Sequence, residues 1–208
     1  MSEGLYLVSL AVHEQDDSIS DALESYDARM RSANLPDIPF HCVDLLHGHG
    51  RYEGLEAETR NRLLLRFAYL AYKLPVRYKV FIYEESYIHG KDELKTALRK
   101  DLVGFFFDNL VYFQAFDEIC IYYDGGHEAV NTAVHQAAAY ALAHDSFMFK
   151  SYEHSEKRLL QFADYACGIE RAALVYSKGR QTKTYVRFFG SKRNFNQSFA
   201  KQLRRKRF

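Results

Sequence analysis

The chain of 208 residues has room for one large domain or two small ones, and its formal net charge is only +1. Its three cysteines are odd in number and widely spaced, which argues against a disulfide framework and for a reducing compartment. We find no signal peptide and no apolar run of about 18 residues. These features exclude a membrane-spanning protein and predict a cytoplasmic one.

The charge is distributed unevenly along the chain. Residues 178–208 contain 11 Lys and Arg and no Asp or Glu, which leaves the rest of the chain with a net charge of −10. We therefore divide the sequence into a domain over residues 1–177 and a basic C-terminal extension over residues 178–208.

Predicted strands and helices alternate along the domain. β-Branched and aromatic runs predict strands at Leu5–Val12, Arg77–Tyr83, Glu118–Asp124 and Ser146–Lys150. Apolar stripes predict a helix that is capped by Ser18 or Ser20 and ends near Ala33, and further helices over 55–74, 92–114, 127–144 and 155–176. The glycine-rich stretch Phe40–Gly50 is predicted to be a loop, and Thr184–Phe189 a further strand. The alternation indicates an α/β fold with a partly parallel sheet.

Two acidic residues have positions that suggest chemistry. Asp124 ends an apolar strand and is followed by two glycines, and ligands gather at such carboxyl edges in open α/β sheets. Asp164 lies in an apolar helical stretch, on a face that is mostly small or apolar. Two carboxylates that meet need a cation between them, and Mg²⁺ or Mn²⁺ suits such ligands in phosphodiester hydrolysis. The alternative is that Asp124 starts a turn and Asp164 pairs with an arginine.

A second polar group consists of His41, Asp44, His47 and His49. Glycines interrupt this stretch, so the side chains have no fixed helical spacing, and no cysteine pair accompanies them. A dedicated zinc site is therefore disfavoured. We interpret His47 and His49 as polar loop residues, and His41 and Asp44 as candidates to face the same cleft as the two acids.

The basic extension alternates cations with phenylalanines. Cations neutralise phosphate and aromatic rings stack on bases, so the extension is a candidate nucleic-acid interface. The alternatives are a solvated tail and a tail folded back on the acidic domain. The candidate phosphate-binding residues are Arg187, Lys192, Arg193, Arg204 and Arg205.

Taken in order, these motifs resemble the prokaryotic family known as domain of unknown function 3800, whose fold is similar to ribonuclease H. The resemblance covers about Leu5 to Arg171. It is carried by Phe40-His41 with Asp44-Leu45, by Tyr122-Tyr123-Asp124, and by Ser155 with Leu160-Gln161-Phe162-Ala163-Asp164 and Gly168. It implies a ribonuclease H-like mixed sheet flanked by helices and a metal-dependent nuclease-like site. Some members of the family appear near mobile elements or defence genes.

In that site, Asp124 and Asp164 would hold Mg²⁺ or Mn²⁺, and His41 or Asp44 would be a further ligand or proton carrier. The family usually opens with a strand that bears Asp-Glu-Ser-Gly, whereas this sequence begins at the equivalent of the second strand. We therefore expect an incomplete site with weak or no nuclease activity. A sheet edge left unpaired would invite self-association. The competing function is a non-catalytic nucleic-acid- or protein-binding module that uses the basic extension.

Overall fold

The structure is a computed structural model, and it describes residues 4–124, 128–142, 147–152 and 157–208. The side chains of Asp124 and of residues 147–152 lie outside the described part, as do Ser155 and the two glycines after Asp124. The chain divides into two compact units. The first contains Met1–Val8 and Phe81–Leu160, and the second contains Ser9–Val80 and Gln161–Phe208.

Strands and helices alternate through most of the described chain. The strands are β1 Leu5–His13, β2 Val76–Glu84, β3 Ile119–Asp124 and β4 Phe147–Tyr152. The helices are α1 Ser20–Ser32, α2 Cys42–His47, α3 Ala57–Lys73, α4 Lys91–Asp108, α5 Leu110–Phe113, α6 Glu128–Leu142, α7 Arg158–Ser177, α8 Lys183–Phe189, α9 Lys192–Phe195 and α10 Lys201–Arg204. A 3₁₀ turn covers Gly50–Tyr52, and a π-helical turn, Asn196–Ala200, joins α9 to α10.

The described strands form two pairs. β1 pairs with β2, and the amide of Glu85 donates to the carbonyl of Gly4, so the end of β2 lies beside the start of β1 and the pair is antiparallel. β3 and β4 are parallel, with Ile119 opposite Phe147 and Asp124 opposite Tyr152. The predicted α/β class with partly parallel pairing is therefore confirmed.

Packing of α4 against α6 builds the core of the first unit. α6 presents small residues, among them Ala133 and Ala137, which are 0% exposed, and α4 presents Leu98 and Leu102, also 0% exposed. Alanines on the facing helix let two helices approach closely, so the larger leucines fill the space between them. Asn109 interrupts the single helix predicted over 92–114, which becomes α4 and α5.

Stacked aromatic rings build the core of the second unit. Phe40 stacks on Phe67 with ring centroids 4.1 Å apart, and Tyr165 meets both rings at 5.7 Å. Phe40 directly precedes the candidate residue His41, so this ring cluster fixes the start of the predicted loop to α3 and α7. Aromatic pairs of this kind contribute about 0.5–1.5 kcal/mol beyond the area they bury.

The structure corrects two local predictions. Residues 184–189 belong to a helix, α8, and not to a strand, because Thr182 caps its N-terminus and Gly190, at φ 74°, ends it. The predicted loop Phe40–Gly50 contains α2, which ends at Gly48 in the left-handed conformation. Among the described residues, no helix is both long enough and apolar enough to cross a membrane. Self-association through a sheet edge stays a prediction.

Candidate functional site

Three consecutive backbone amides before and at the start of α2 each donate to a side chain. The amide of Phe40 donates to Gln161 Oε1 at 3.1 Å, that of His41 to the Tyr52 hydroxyl at 3.2 Å, and that of Cys42 to Asp164 Oδ2 at 2.6 Å. Gln161 and Asp164 are three residues apart on α7, so they project from neighbouring positions on the helix. Residues 40–42 are therefore held in place by three hydrogen bonds, two of which are made to side chains of α7.

Asp164 is thus tied to the first amide of α2. An amide at a helix start has no partner within the helix, and a carboxylate there is favoured by the helix dipole. Part of the Asp164 carboxylate is committed to this bond, which is a structural role. The alternative of an arginine partner for Asp164 stays a prediction, since Asp164 and Arg171 both have further interactions besides this bond.

His41 and Asp44 face each other across the first turn of α2. The amide of Asp44 donates to His41 Nδ1 at 3.4 Å, and the same nitrogen lies 3.4 Å from Asp44 Oδ2. The side chains are 45% and 36% exposed, so both reach solvent. Depending on its tautomer, Nδ1 either accepts from the amide or donates to the carboxylate.

Because Gly168 has no side chain, the thiol of Cys42 packs directly against α7 at this position. A Cβ atom on Gly168 would overlap Cys42 Sγ and would lie 2.8 Å from Cys42 Cβ. Burial raises the pKa of the Cys42 thiol, and the neighbouring Asp164 charge raises it further. The pKa of the Cys167 thiol is raised for the same two reasons, burial and the Asp164 charge. Both thiols are therefore protonated at neutral pH, which disfavours a nucleophilic role for either one.

Gln161 is a site residue whose role the sequence did not reveal. It is 0% exposed, and its only readable signal is its place in the Leu-Gln-x-Ala-Asp run. Its partner Phe40 is 121 residues away and 2% exposed. Tyr52 was missed likewise; its hydroxyl accepts from His41 and donates to the carbonyl of Pro39 at 3.0 Å.

Replacing Gln161 by Leu is expected to lower the free energy of unfolding by about 1–3 kcal/mol, because the buried amide of Phe40 loses its acceptor. Urea denaturation at pH 7 measures the loss. Gln136→Leu, at an exposed position of α6, is the matched control and should change stability by less than about 0.5 kcal/mol. Equal losses in the two variants would show that the bond to Phe40 contributes nothing.

His47 is the last residue of α2 and His49 precedes the 3₁₀ turn; both are exposed, with ring centroids 5.8 Å apart. Arg60 holds this stretch in place: its Nη1 donates to the carbonyls of Leu45 at 2.6 Å and Leu46 at 2.9 Å, near the C-terminal end of α2. A cation at that end complements the helix dipole. The described residues contain no group of three or more His, Cys, Asp or Glu that is placed to hold a metal ion.

No family model, curated protein or solved structure matches this chain. The resemblance read from the motifs therefore stays a prediction. What the structure adds is spatial: the motif around His41 and the motif around Asp164 are in direct contact. Asp124 ends β3 in the first unit, and its side chain is outside the described residues.

The basic extension contributes to the core of the second unit. Phe188, Phe189, Phe195 and Phe199 are at most 4% exposed, so these rings cannot stack on bases. Tyr176 stacks on Phe195 with ring centroids 4.8 Å apart. Of the alternatives for residues 178–208, the described contacts match an extension that is folded back.

Glu170, which the sequence analysis overlooked, anchors the end of the extension. It is 3% exposed and accepts from Tyr78 Oη at 2.7 Å, Arg207 Nη2 at 2.6 Å and Arg204 Nη2 at 3.0 Å. Burial alone would raise its pKa, but the hydrogen bonds of Arg204 and Tyr78 and the charges of Arg204 and Arg207 outweigh burial and hold the pKa below its usual value. Arg204, predicted to bind phosphate, is thus engaged by this carboxylate.

Proposed function

We propose that this protein is a divalent-metal-dependent phosphodiesterase of ribonuclease H-like fold that acts on nucleic acid. One observation carries the proposal: the two motifs that define the resemblance, more than 120 residues apart, are joined by the Cys42–Asp164 and Phe40–Gln161 bonds. This contact supports the proposal because the resemblance assigns residues of both motifs to one site. The alternation of helices with strands, in one antiparallel and one parallel pair, also supports the proposal.

The donor chemistry sets a condition on this function. Carboxylate oxygens are what Mg²⁺ and Mn²⁺ prefer. Asp164 supplies one carboxylate, and His41 and Asp44 lie on the helix that Asp164 caps. Because the described residues alone do not make a three-ligand group, the proposal requires the carboxylate of Asp124. When bound, the ion would polarise a phosphate and lower the pKa of a water molecule.

The remaining roles belong to the chain itself. Cys42 N–H and the packing at Gly168 fix the orientation of Asp164, while Gln161 and Tyr52 fix the backbone that carries His41. The His41–Asp44 pair is exposed enough to exchange a proton with solvent and substrate. We expect phosphodiester cleavage to be slow, because hydrolysis between two metal ions needs more bridging carboxylates than Asp124 and Asp164 provide.

Asp164→Asn is expected to abolish Mn²⁺ binding while leaving the fold intact, because the amide oxygen of Asn still accepts from Cys42 N–H. Calorimetric titration of Mn²⁺ into the wild type should give one weak site, which Asp164→Asn and Asp124→Asn both remove. Asp164→Ala also leaves the Cys42 amide without an acceptor and should cost about 1–3 kcal/mol of stability. Equal, site-free heats for the wild type and both Asn variants would reject the metal site.

A cleavage assay separates the proposal from the expectation of slow chemistry. Labelled DNA and RNA are incubated with Mn²⁺ and the wild type, with Asp164→Asn as the blank. Slow cleavage that Asp164→Asn abolishes is the expected result. Robust cleavage with the same dependence would support the function and show that the site is more complete than we infer.

The second candidate is a non-catalytic nucleic-acid-binding module. A specific observation favours it: several cations of the C-terminal helices are exposed and have no ion pair or hydrogen bond among the described residues. Nucleic-acid binding without any Mn²⁺-dependent heat or cleavage would select this candidate.

A further inference from the structure

The cations of residues 183–208 fall into two sets. The inward set is engaged by the core: Arg204 and Arg207 bind Glu170, and Lys206 Nζ donates to the carbonyl of Leu74 at 2.5 Å. The outward set is exposed, and apart from a 3.5 Å contact of Arg205 with Gln202 its members have no side-chain partner among the described residues. The outward set consists of Lys183, Arg187, Lys192, Arg193, Lys201 and Arg205.

Helix geometry places three of the outward cations in one row. The segments α9, the π-helical turn and α10 follow one another without a break from Lys192 to Arg204. Phe195, Phe199 and Leu203 recur every four residues and are at most 3% exposed, so they define the buried face. Arg193, Lys201 and Arg205 each lie two residues from a member of that row and are exposed. They therefore lie on the solvent-facing side of this segment.

Among the described residues, no ion pair neutralises this row. No acid occurs in residues 178–208. α3, which packs against α10, carries one acid, Glu58, and four cations, Arg60, Arg62, Arg66 and Lys73. On α7, Glu170 is already engaged by the inward set. A row of uncompensated cations on a rigid helix attracts a polyanion and releases the counterions that the polyanion carries.

We propose that this outward face, Arg193, Lys201 and Arg205 with Lys183 and Arg187, binds the phosphate backbone of nucleic acid without reading its sequence. A lipid surface fits less well, because an interfacial helix must insert its apolar face and here that face is buried in the core. Base recognition by stacking is excluded for Phe188, Phe189, Phe195 and Phe199, since they are buried. Duplex and single strand should therefore bind through charge alone. The inference does not depend on a metal site.

The test measures binding in the absence of divalent metal. Fluorescence anisotropy with a labelled random-sequence DNA duplex compares the wild type with Arg193→Gln/Lys201→Gln/Arg205→Gln at several salt concentrations. The matched control, Lys91→Gln/Arg99→Gln/Lys100→Gln, removes the same charge from exposed positions of α4. We expect the first variant to lose at least about tenfold in affinity and about 2.7 in the slope of log Kobs against log salt, and the control to keep both.

Other outcomes overturn the proposal. Equal losses in the two triple variants would show that only net charge matters. Tighter binding to phosphatidylserine vesicles or to polyglutamate than to DNA, with the same dependence on the outward face, would assign the surface to a membrane or to an acidic protein. Circular dichroism and the urea midpoint of each variant confirm that the fold is unchanged. The absence of Mn²⁺ binding in the calorimetric titration would reject the metal-dependent function but would not affect the DNA-binding result. The proposed function and the proposed binding surface can therefore be rejected independently.

Discussion

Replacing Arg204 and Arg207 together by Gln is expected to lower the free energy of unfolding by about 3–5 kcal/mol at pH 7, because the Glu170 carboxylate then stays buried without a cation. Glu170 is 4% exposed at its side chain, whereas the arginines are 46% and 47% exposed. Glu170→Gln should cost less, about 1–3 kcal/mol, because the arginines left behind can be hydrated and Tyr78 keeps an acceptor. Urea denaturation gives both values.

The dependence of the free energy of unfolding on pH provides a second test of the role of Glu170. In the wild type the pKa of Glu170 is lowered from 4.5, so its stabilising contribution is present above pH 4.5 and is lost as the pH falls through the folded-state value. In the double arginine variant, burial is no longer offset and the pKa rises, so the buried charge destabilises the fold at neutral pH and less in acid. The difference in stability between the two proteins should therefore begin to narrow above pH 4.5, where the variant's carboxylate takes up a proton, and should narrow further below pH 4.5, where the wild type loses its stabilising contribution.

Arg205→Gln is the control for this experiment. Arg205 neighbours Arg204 in sequence but is exposed, and its only described side-chain contact is Gln202 at 3.5 Å. Its replacement should change stability by less than about 0.5 kcal/mol. If Arg205→Gln costs as much as the loss of Arg204 and Arg207, general charge in the extension stabilises the fold and Glu170 has no special role.

Gly168→Ala is expected to destabilise the protein by about 1–3 kcal/mol or more and to disturb the candidate site, because the added methyl group overlaps Cys42 Sγ. Relief of this overlap must move α2 away from α7 and lengthen the 2.6 Å bond between Cys42 N–H and Asp164. Loss of stability and loss of Mn²⁺ binding should therefore appear together. Urea denaturation and calorimetry measure the two effects.

Two variants make this prediction specific. Gly104→Ala on α4 adds a methyl group where no atom lies within 4 Å, so it should stabilise by about 0.5–1 kcal/mol, the usual gain for Gly to Ala within a helix. Cys42→Gly removes both atoms that the new methyl group meets, so the double variant Cys42→Gly/Gly168→Ala should recover part of the loss, with a coupling energy of about 0.5–3 kcal/mol. If the changes in the free energy of unfolding caused by the two substitutions are strictly additive, the side chains at positions 42 and 168 are not in destabilising contact.

The sequence predicted the long elements well because their apolar stripes are regular. Residues 184–189 were predicted wrongly because their β-branched and aromatic content imitates a strand, while the deciding signals are local: the Thr182 side chain accepts from the amide of Tyr185 at 3.4 Å, and Gly190 ends the helix. The helix over 192–204 was missed for a similar reason. Its buried row at 195, 199 and 203 was readable as a spacing of four, but the surrounding cations obscured it.

The site was only partly predictable. Motif order pointed to His41, Asp44 and Asp164, and the structure brings the first two residues onto the helix that Asp164 caps. The partner of Asp164 is a backbone amide, which has no signature in any sequence. Gly168 and Cys42 fit together by shape, and shape complementarity over more than 120 residues cannot be read from spacing. The roles of Arg204 and Glu170 depended likewise on a packing that only the folded chain reveals.

The bridge between Tyr78 and Arg207 bears on how the second unit is made during translation. The amide of Tyr78 donates to the carbonyl of Lys206 at 2.9 Å, and the amide of Phe208 donates to the carbonyl of Tyr78 at 3.1 Å. The ribosome therefore releases residues 9–80 long before their partners in 161–208 are synthesised. In the meantime the aromatic surface around Phe67 is uncovered. Such late, long-range closure slows folding and leaves the apolar surface of the nascent chain exposed to aggregation.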